Sequence, residues 1–170
     1  MRHITLLLLT SISIAATAGA QTAINIVNSS FETPGFRTDN SSKDFWSNVD
    51  GWTADGTTSD SGVTDENATD GSFSGKVGGF EGDDGVFQTT SYTILSGDEF
   101  TLSFDASHTF PNSDGISGNT ATLFYDAPAN VIGSYTFSTD DSDPGAPNFT
   151  SHSTTITSSG ESVGGNVGIL

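Results

Sequence analysis

Histidine, serine and carboxylate side chains are the groups in this chain that could carry chemistry. The 170 residues include 21 acidic side chains, three histidines and no cysteine, which excludes thiol catalysis and a disulfide scaffold. His108 and His152 have no partner at His-x-His or His-Glu-x-x-His spacing, and Phe73 stands where a Gly-x-Ser-x-Gly elbow needs its nucleophile. We therefore predict no catalytic residue. Glycosidase chemistry by two carboxylates stays open, because their separation cannot be read from a sequence.

Aromatic side chains offer a different chemistry, since ring faces stack on the C–H groups of sugars. Trp46 lies in a polar stretch before the Gly51-Trp52 turn, and we expect it to be exposed. Phe36 and Phe80 lie at strand or loop edges and could line a groove. We predict Trp46, Phe36 and Phe80 as ligand-binding residues, with packing as the alternative for each, and we expect Trp52 in the core.

The charge balance restricts the partners. Four basic residues against 21 acidic ones give a net charge of −17, and such a chain cannot neutralise phosphates, so nucleic acid is excluded as a partner. The acidic stretches at 65–70 and 81–84 lack the glycine spacing of a calcium-binding loop. Solvation or weak cation binding is their expected role.

The first 20 residues have the pattern of a secretory signal peptide. A positive start is followed by an apolar run from Ile4 to Ala16 and by the small-x-small triplet at 18–20. The run is shorter than the about 20 residues of a membrane span, and no second apolar segment follows. We predict removal of residues 1–20, no transmembrane anchor in the chain as given, and a secreted or cell-surface protein. Export without disulfides favours a bacterial source.

Beyond residue 20 the apolar residues alternate in short runs, which is typical of strands. The clearest run is 99–106, with Phe100, Leu102 and Phe104 on one face. Further strands are expected at 119–125, 131–137 and 149–156.

Two more strands, at 74–80 and 85–90, flank an acidic turn and predict a hairpin. Residues 54–72 are of low complexity and predict a long loop. The whole pattern predicts an all-β fold, a two-sheet antiparallel β-sandwich formed by residues 21–170 as a single domain. Residues 164–170 look like the start of another strand, so we expect the domain to lack its last strand or strands.

Five short motifs follow one another in a fixed order: Asn28-Ser29-Ser30-Phe31-Glu32, Asp50-Gly51-Trp52, Val77-Gly78-Gly79, Val86-Phe87-Gln88-Thr89 and the run from Gly97 to Asp105. Together they resemble the galactose-binding-like β-sandwich family. These jelly-roll domains occur in carbohydrate-binding modules and in secreted bacterial proteins, often with a PEP-CTERM sorting tail. The resemblance covers residues 24–170 and implies a jelly roll that binds carbohydrate or extracellular polysaccharide.

The resemblance also implies a structural calcium ion (Ca²⁺). In that family the first-strand Phe-Glu motif commonly helps to build such a site, and by position Glu32 is the candidate ligand. Asp105, on the polar face of its strand, is a second candidate. Calcium takes six to eight oxygens, and the last-strand carboxylate of the pattern would lie beyond Leu170. The alternative for Glu32 is a solvated charge at a strand end.

Three functions remain open. The first is a secreted, non-enzymatic β-sandwich that binds carbohydrate or serves in an extracellular matrix or surface, stabilised by calcium. The second is an extracellular enzyme on the same fold, either glycan-cleaving or similar to the cyclases that act on indole terpenoids, whose N-terminal and Gly-Trp motifs look alike. The cyclase reading rests on fold analogy. The third is a structural surface protein with no small ligand.

Overall fold

A computed structural model describes residues 4–17, 21–33, 49–55, 62–64, 68–79, 85–108, 116–139 and 149–170. Within these residues every regular element is a strand. The strands, in chain order, are β1 (Ile4–Thr17), β2 (Gln21–Ile24), β3 (Thr53–Asp55), β4 (Gly62–Thr64), β5 (Ser74–Gly79), β6 (Gly85–Thr93), β7 (Glu99–His108), β8 (Ile116–Tyr125), β9 (Ala127–Thr139), β10 (Thr150–Thr157) and β11 (Asn166–Ile169). No helix in these ranges is long and apolar enough to cross a membrane.

The strands form two antiparallel sheets. One has six strands in the order β10-β7-β1-β5-β4, with β2 paired to β1, and the other has five in the order β3-β6-β11-β8-β9. β10 and β9 are therefore edge strands of the two sheets. The predicted all-β sandwich is confirmed.

Period-two alternation decides which side chains fill the space between the sheets. On β7, Phe100, Leu102 and Phe104 are buried, while Thr101 and Ser103 between them are half-buried. The five-stranded sheet contributes Leu123, Val167 and other apolar residues to the same core cluster. The alternation that predicted β7 thus also predicts its buried face.

The connection from β6 to β7 carries the chain from one sheet to the other and is fixed by a buried carboxylate. Asp98 is 1% exposed; its Oδ2 accepts hydrogen bonds from the Leu95 amide at 2.7 Å and from the Tyr92 hydroxyl at 3.0 Å. Burial, with Asp98 adding to it, raises the pKa of Tyr92. Gly97 has a φ of 85°, a value that favours glycine. This turn therefore positions β7 against the opposite sheet.

Two predictions about connections were wrong. The expected hairpin of 74–80 and 85–90 does not form, because β5 lies in the six-stranded sheet and β6 in the five-stranded one. A short link between strands can cross a sandwich as well as turn back, and its length does not distinguish the two. The predicted loop at 54–72 contains β3 in part and all of β4, and both pair at sheet edges.

The predicted leader contains β1, which lies between β5 and β7 and pairs antiparallel with both. Ile14 on β1 is fully buried, and its Cα faces those of Ile24 and Leu102. A continuous apolar run suits a central strand as well as a signal peptide. Cleavage after Ala20 stays a prediction, and it would take this strand from between β5 and β7.

Candidate functional site

The motifs that carried the family resemblance build a structural corner at the start of the domain. Asn28 has a φ of 52°, and its side chain exchanges hydrogen bonds with the backbone of Thr33 at 2.5 and 2.9 Å. The Trp52 indole donates to the Asn28 carbonyl at 3.1 Å. Trp52 is 5% exposed and its ring centre lies 5.2 Å from that of Phe31. Trp52 is therefore a core residue, as the sequence predicted.

Gln88, on β6, joins this corner to the five-stranded sheet. Its Oε1 accepts from the Val27 amide at 2.7 Å, and its Nε2 donates to the carbonyls of Val27 at 3.0 Å and Gly51 at 2.8 Å. The side chain is 4% exposed, so it satisfies backbone groups that would otherwise be buried without a partner. Gln88 thus joins its own motif to the Asp50-Gly51-Trp52 motif and to Val27, the residue that precedes the first motif.

Glu32, the first predicted calcium ligand, anchors a loop. Its Oε1 accepts hydrogen bonds from the backbone amides of Ser72 and Phe73, each at 2.8 Å. Gly71 has a φ of 76°, and a Cβ there would collide with the Glu32 carboxylate. The loop therefore needs glycine where it wraps around this side chain.

Asp105, the second predicted ligand, contacts the other end of the same loop. Its Oδ2 accepts from the Thr69 hydroxyl at 3.1 Å, and its Oδ1 accepts from Ser151 at 2.5 Å. The residues that the structure describes hold no group of three or more His, Cys, Asp or Glu suited to a metal. Oε1 of Glu32 is engaged by two amide donors, and calcium needs six to eight oxygen ligands. The calcium site stays a prediction.

The three predicted sugar-binding residues, Trp46, Phe36 and Phe80, lie outside the described residues. Their role stays a prediction.

A different group of side chains meets where the edge strands β9 and β10 approach each other. It consists of Phe104, Tyr135, Phe137 and His152, named here the aromatic cluster. The Phe137 ring centre lies 5.0 Å from that of Phe104 and 4.8 Å from that of His152. The His152 ring stacks on Phe104 at 5.3 Å, and Tyr135 stacks on Phe137 at 6.2 Å.

Strand register explains why these rings meet. His152 and Phe104 are direct partners of the β10–β7 pair, so their side chains share the inward face. Tyr135 and Phe137 are two residues apart on β9 and share a face as well. At Gly133 a Cβ would lie 2.7 Å from the Ile156 side chain of β10. Glycine therefore allows the two edge strands to approach.

The aromatic cluster is graded from core to surface. Phe104 and Phe137 are 4% and 5% exposed, while Tyr135 and His152 are half-buried. The cluster thus lies at the rim of the core, and Tyr135 and His152 are its partly exposed members.

Two buried polar atoms beside Phe137 have no hydrogen-bond partner in the described part of the chain. They are Nε2 of His152 and Nδ2 of Asn119. Asn119 is the direct β8 partner of Phe137. Leaving such a group unsatisfied costs about 1–3 kcal/mol, and native interiors satisfy the great majority of them. Two polar groups at this end of the sandwich are therefore left without a hydrogen bond among the described residues.

Burial lowers the pKa of His152, and the nearby Asp105 charge opposes that shift only in part. Burial therefore favours the neutral imidazole, and once protonated the ring is a stronger acid than an exposed histidine.

In the sequence His152 has no metal partner at a recognisable spacing, and no motif includes Asn119 or Tyr135. The available signal was the alternation on β9 and β10, which places Tyr135, Phe137 and His152 at inward positions. The alternation does not show that β10 pairs with β7 or that β9 lies close to β10.

A family model described as HpiC1-like, HpiC1 cyclase, matches residues 22–169. The chain belongs to the HpiC1-like cyclase family. A search of curated proteins and a search of solved structures each found no match. The match begins after the predicted leader. It includes both the corner built by Asn28, Trp52 and Gln88 and the aromatic cluster.

Replacing Glu32 tests its anchoring role. Because Glu32→Ala leaves the amides of Ser72 and Phe73 without their acceptor, we expect it to lower the free energy of unfolding by about 1–3 kcal/mol. Glu32→Gln keeps an oxygen that can accept, so the loss should be smaller. Chemical denaturation measures both, with the exposed Glu161→Ala as control.

The same variants test the calcium prediction. A melting temperature that rises with calcium in the wild type and not in Glu32→Gln would support a calcium site. An equal response of both proteins to calcium and chelator would contradict a role for Glu32.

The lowered pKa of His152 predicts a pH-dependent stability. As pH falls through the unfolded-state value of about 6.5, the unfolded chain takes up this proton before the folded chain does. Wild-type stability should therefore decrease relative to His152→Phe between pH 7.5 and 5.5. Urea unfolding of both proteins across this range measures the difference. Parallel curves, or a wild type that gains stability, would contradict burial of the neutral ring.

Proposed function

We propose that this chain binds an apolar, unsaturated substrate at the aromatic cluster and cyclises it by proton transfer. Two observations support the proposal: membership in the HpiC1-like cyclase family, and the packing of an imidazole against three aromatic rings at one edge of the sandwich. The packing of the rings around His152 is the single observation that carries it.

Cyclisation by proton transfer needs few catalytic groups. A proton added to a carbon–carbon double bond leaves a carbocation, the electrons of a second double bond close the ring, and loss of a proton restores neutrality. The product is an isomer of the substrate, so no oxidant or co-substrate is consumed. Aromatic faces stabilise the cation as it passes. Phe104, Tyr135 and Phe137 are the aromatic rings that pack against His152.

His152 is the candidate proton-transfer group of this cluster. Its ring lies 5.3 Å from Phe104, 6.0 Å from Tyr135 and 4.8 Å from Phe137, so a substrate that contacts these rings lies within reach of the imidazole. The protonated imidazole would add its proton to the double bond, and the neutral ring left behind would accept the proton lost after ring closure. Burial lowers the pKa of His152, which makes the protonated form a stronger acid.

Carbohydrate binding is the second candidate. The half-buried Tyr135 ring, stacked on Phe137, is the described aromatic group that could support a sugar ring, beside the predicted Trp46, Phe36 and Phe80. Under this second candidate function, the protein is a secreted, non-enzymatic surface or matrix component that binds extracellular polysaccharide.

Isotope incorporation tests the cyclase proposal directly. The full chain is incubated in D2O with an unsaturated indole terpenoid, the substrate class that the resemblance implies. The expected product is an isomer carrying one deuterium from solvent. We expect His152→Asn and Phe137→Ala to lose at least about tenfold in rate, which corresponds to about 1.4 kcal/mol, while the outward-facing Thr136→Val keeps the wild-type rate.

Two results would contradict the cyclase proposal. One is full activity in both cluster variants with their folds intact by circular dichroism. The other is the absence of product combined with glycan-array binding that Tyr135→Ala removes, which would favour the carbohydrate-binding function instead.

A further inference from the structure

The buried atoms without partners beside Phe137 restrict what the aromatic cluster can bind. Asn119 belongs to the five-stranded sheet and His152 to the six-stranded one. Their atoms Nδ2 and Nε2 are both buried and unpartnered within the described residues. Phe137 is the shared neighbour: its Cα faces that of Asn119, and its ring centre lies 4.8 Å from that of His152. Unused hydrogen-bonding atoms therefore border one ring on two sides.

Asn119 Nδ2 and His152 Nε2 lie in a different part of the fold from the third buried atom without a partner among the described residues, Ser107 Oγ. Asn119 alternates with the buried Ala121 on β8, and His152 is the direct partner of the buried Phe104. Both side chains therefore belong to inward-facing positions. Ser107 Oγ, the third such atom in the described ranges, follows the buried Ala106 on β7 and lies on the other face. The pair beside Phe137 is thus local to the aromatic cluster.

We propose that Asn119 and His152 are specificity-determining residues that select ligands carrying a hydrogen-bonding oxygen or nitrogen beside a flat apolar body. This inference rests on the proposed function, because it concerns the same aromatic cluster. The Asn119 Nδ2 group has only donors, so the ligand must present an acceptor to it. The imidazole Nε2 either donates or accepts, and neutral His152 accepts there when its proton is on Nδ1.

The physical reason is the asymmetry of buried hydrogen bonds. Both atoms are already buried before any ligand binds. An apolar ligand beside them leaves them unpaired, whereas a ligand with the matching group satisfies them. Sites built in this way reject the analogue that lacks the polar group more strongly than a purely apolar pocket rejects a smaller ring. Asn119 and His152 should therefore determine which ring compounds bind, while Phe104 and Phe137 determine that rings bind at all.

Three naphthalene compounds test this division. 2-Naphthol offers a donor and an acceptor, 2-methoxynaphthalene offers an acceptor alone, and naphthalene offers neither. Equilibrium dialysis against the full chain at pH 7.5 measures each Kd. We expect 2-naphthol to bind most tightly and naphthalene most weakly, with roughly a tenfold difference across the series.

The variants assign the polar contacts. Asn119→Leu should remove the advantage of 2-methoxynaphthalene over naphthalene, and His152→Phe should remove the added advantage of 2-naphthol. Asn119→Asp keeps the size of the side chain and replaces its donor with an acceptor, so it serves if the leucine variant does not fold. Thr136→Val is the matched control and should bind all three compounds like the wild type. Circular dichroism establishes the fold of each protein.

The outcomes separate this inference from the proposed function. Equal binding of all three compounds to the wild type would overturn the roles of Asn119 and His152 and leave the aromatic cluster as a ring-binding site. Unchanged selectivity in the folded variants would overturn them as well. If no compound binds, the aromatic cluster does not take flat rings, and the proposed function loses its site together with the inference.

Discussion

The contact of Phe137 with Phe104 and His152 across the two sheets is the interaction on which the site depends. Phe137 reaches inward from the edge of the five-stranded sheet, and Phe104 and His152 meet it from the other sheet. Gly133 permits this approach because a side chain there would meet Ile156. Aromatic rings satisfy one another through edge contacts and stacking without polar partners. The same contact therefore closes this edge of the core. It gives no hydrogen bond to Asn119 Nδ2 or His152 Nε2, which have no partner among the described residues.

The motif residues at the start of the domain have a different role. Asn28, Trp52 and Gln88 hold the start of the domain by hydrogen bonds to backbone groups, and Glu32 anchors a loop by the same means. The fold requires these residues because each one forms hydrogen bonds with backbone groups that are buried or lie in turns.

Alternation predicted the strands and the buried face of β7 from the sequence, because a half-buried strand repeats every two residues. It could not predict that β5 and β6 lie in different sheets, since strand pairing depends on contacts that are distant along the chain. The apolar run from Ile4 to Ala16 shows the limit clearly, because a leader and a central strand require the same residues. The meeting of Asn119, Tyr135 and His152 could not be predicted for a related reason, because they lie on three strands whose arrangement depends on contacts distant along the chain.

A crystal structure of the full chain with 2-naphthol tests the central claim that the aromatic cluster is the ligand site. We expect the naphthalene ring to pack against Phe137 and His152, with its hydroxyl within hydrogen-bond distance of Asn119 Nδ2 or His152 Nε2. A ligand bound elsewhere, with the four rings of the cluster packed as they are without it, would contradict the account.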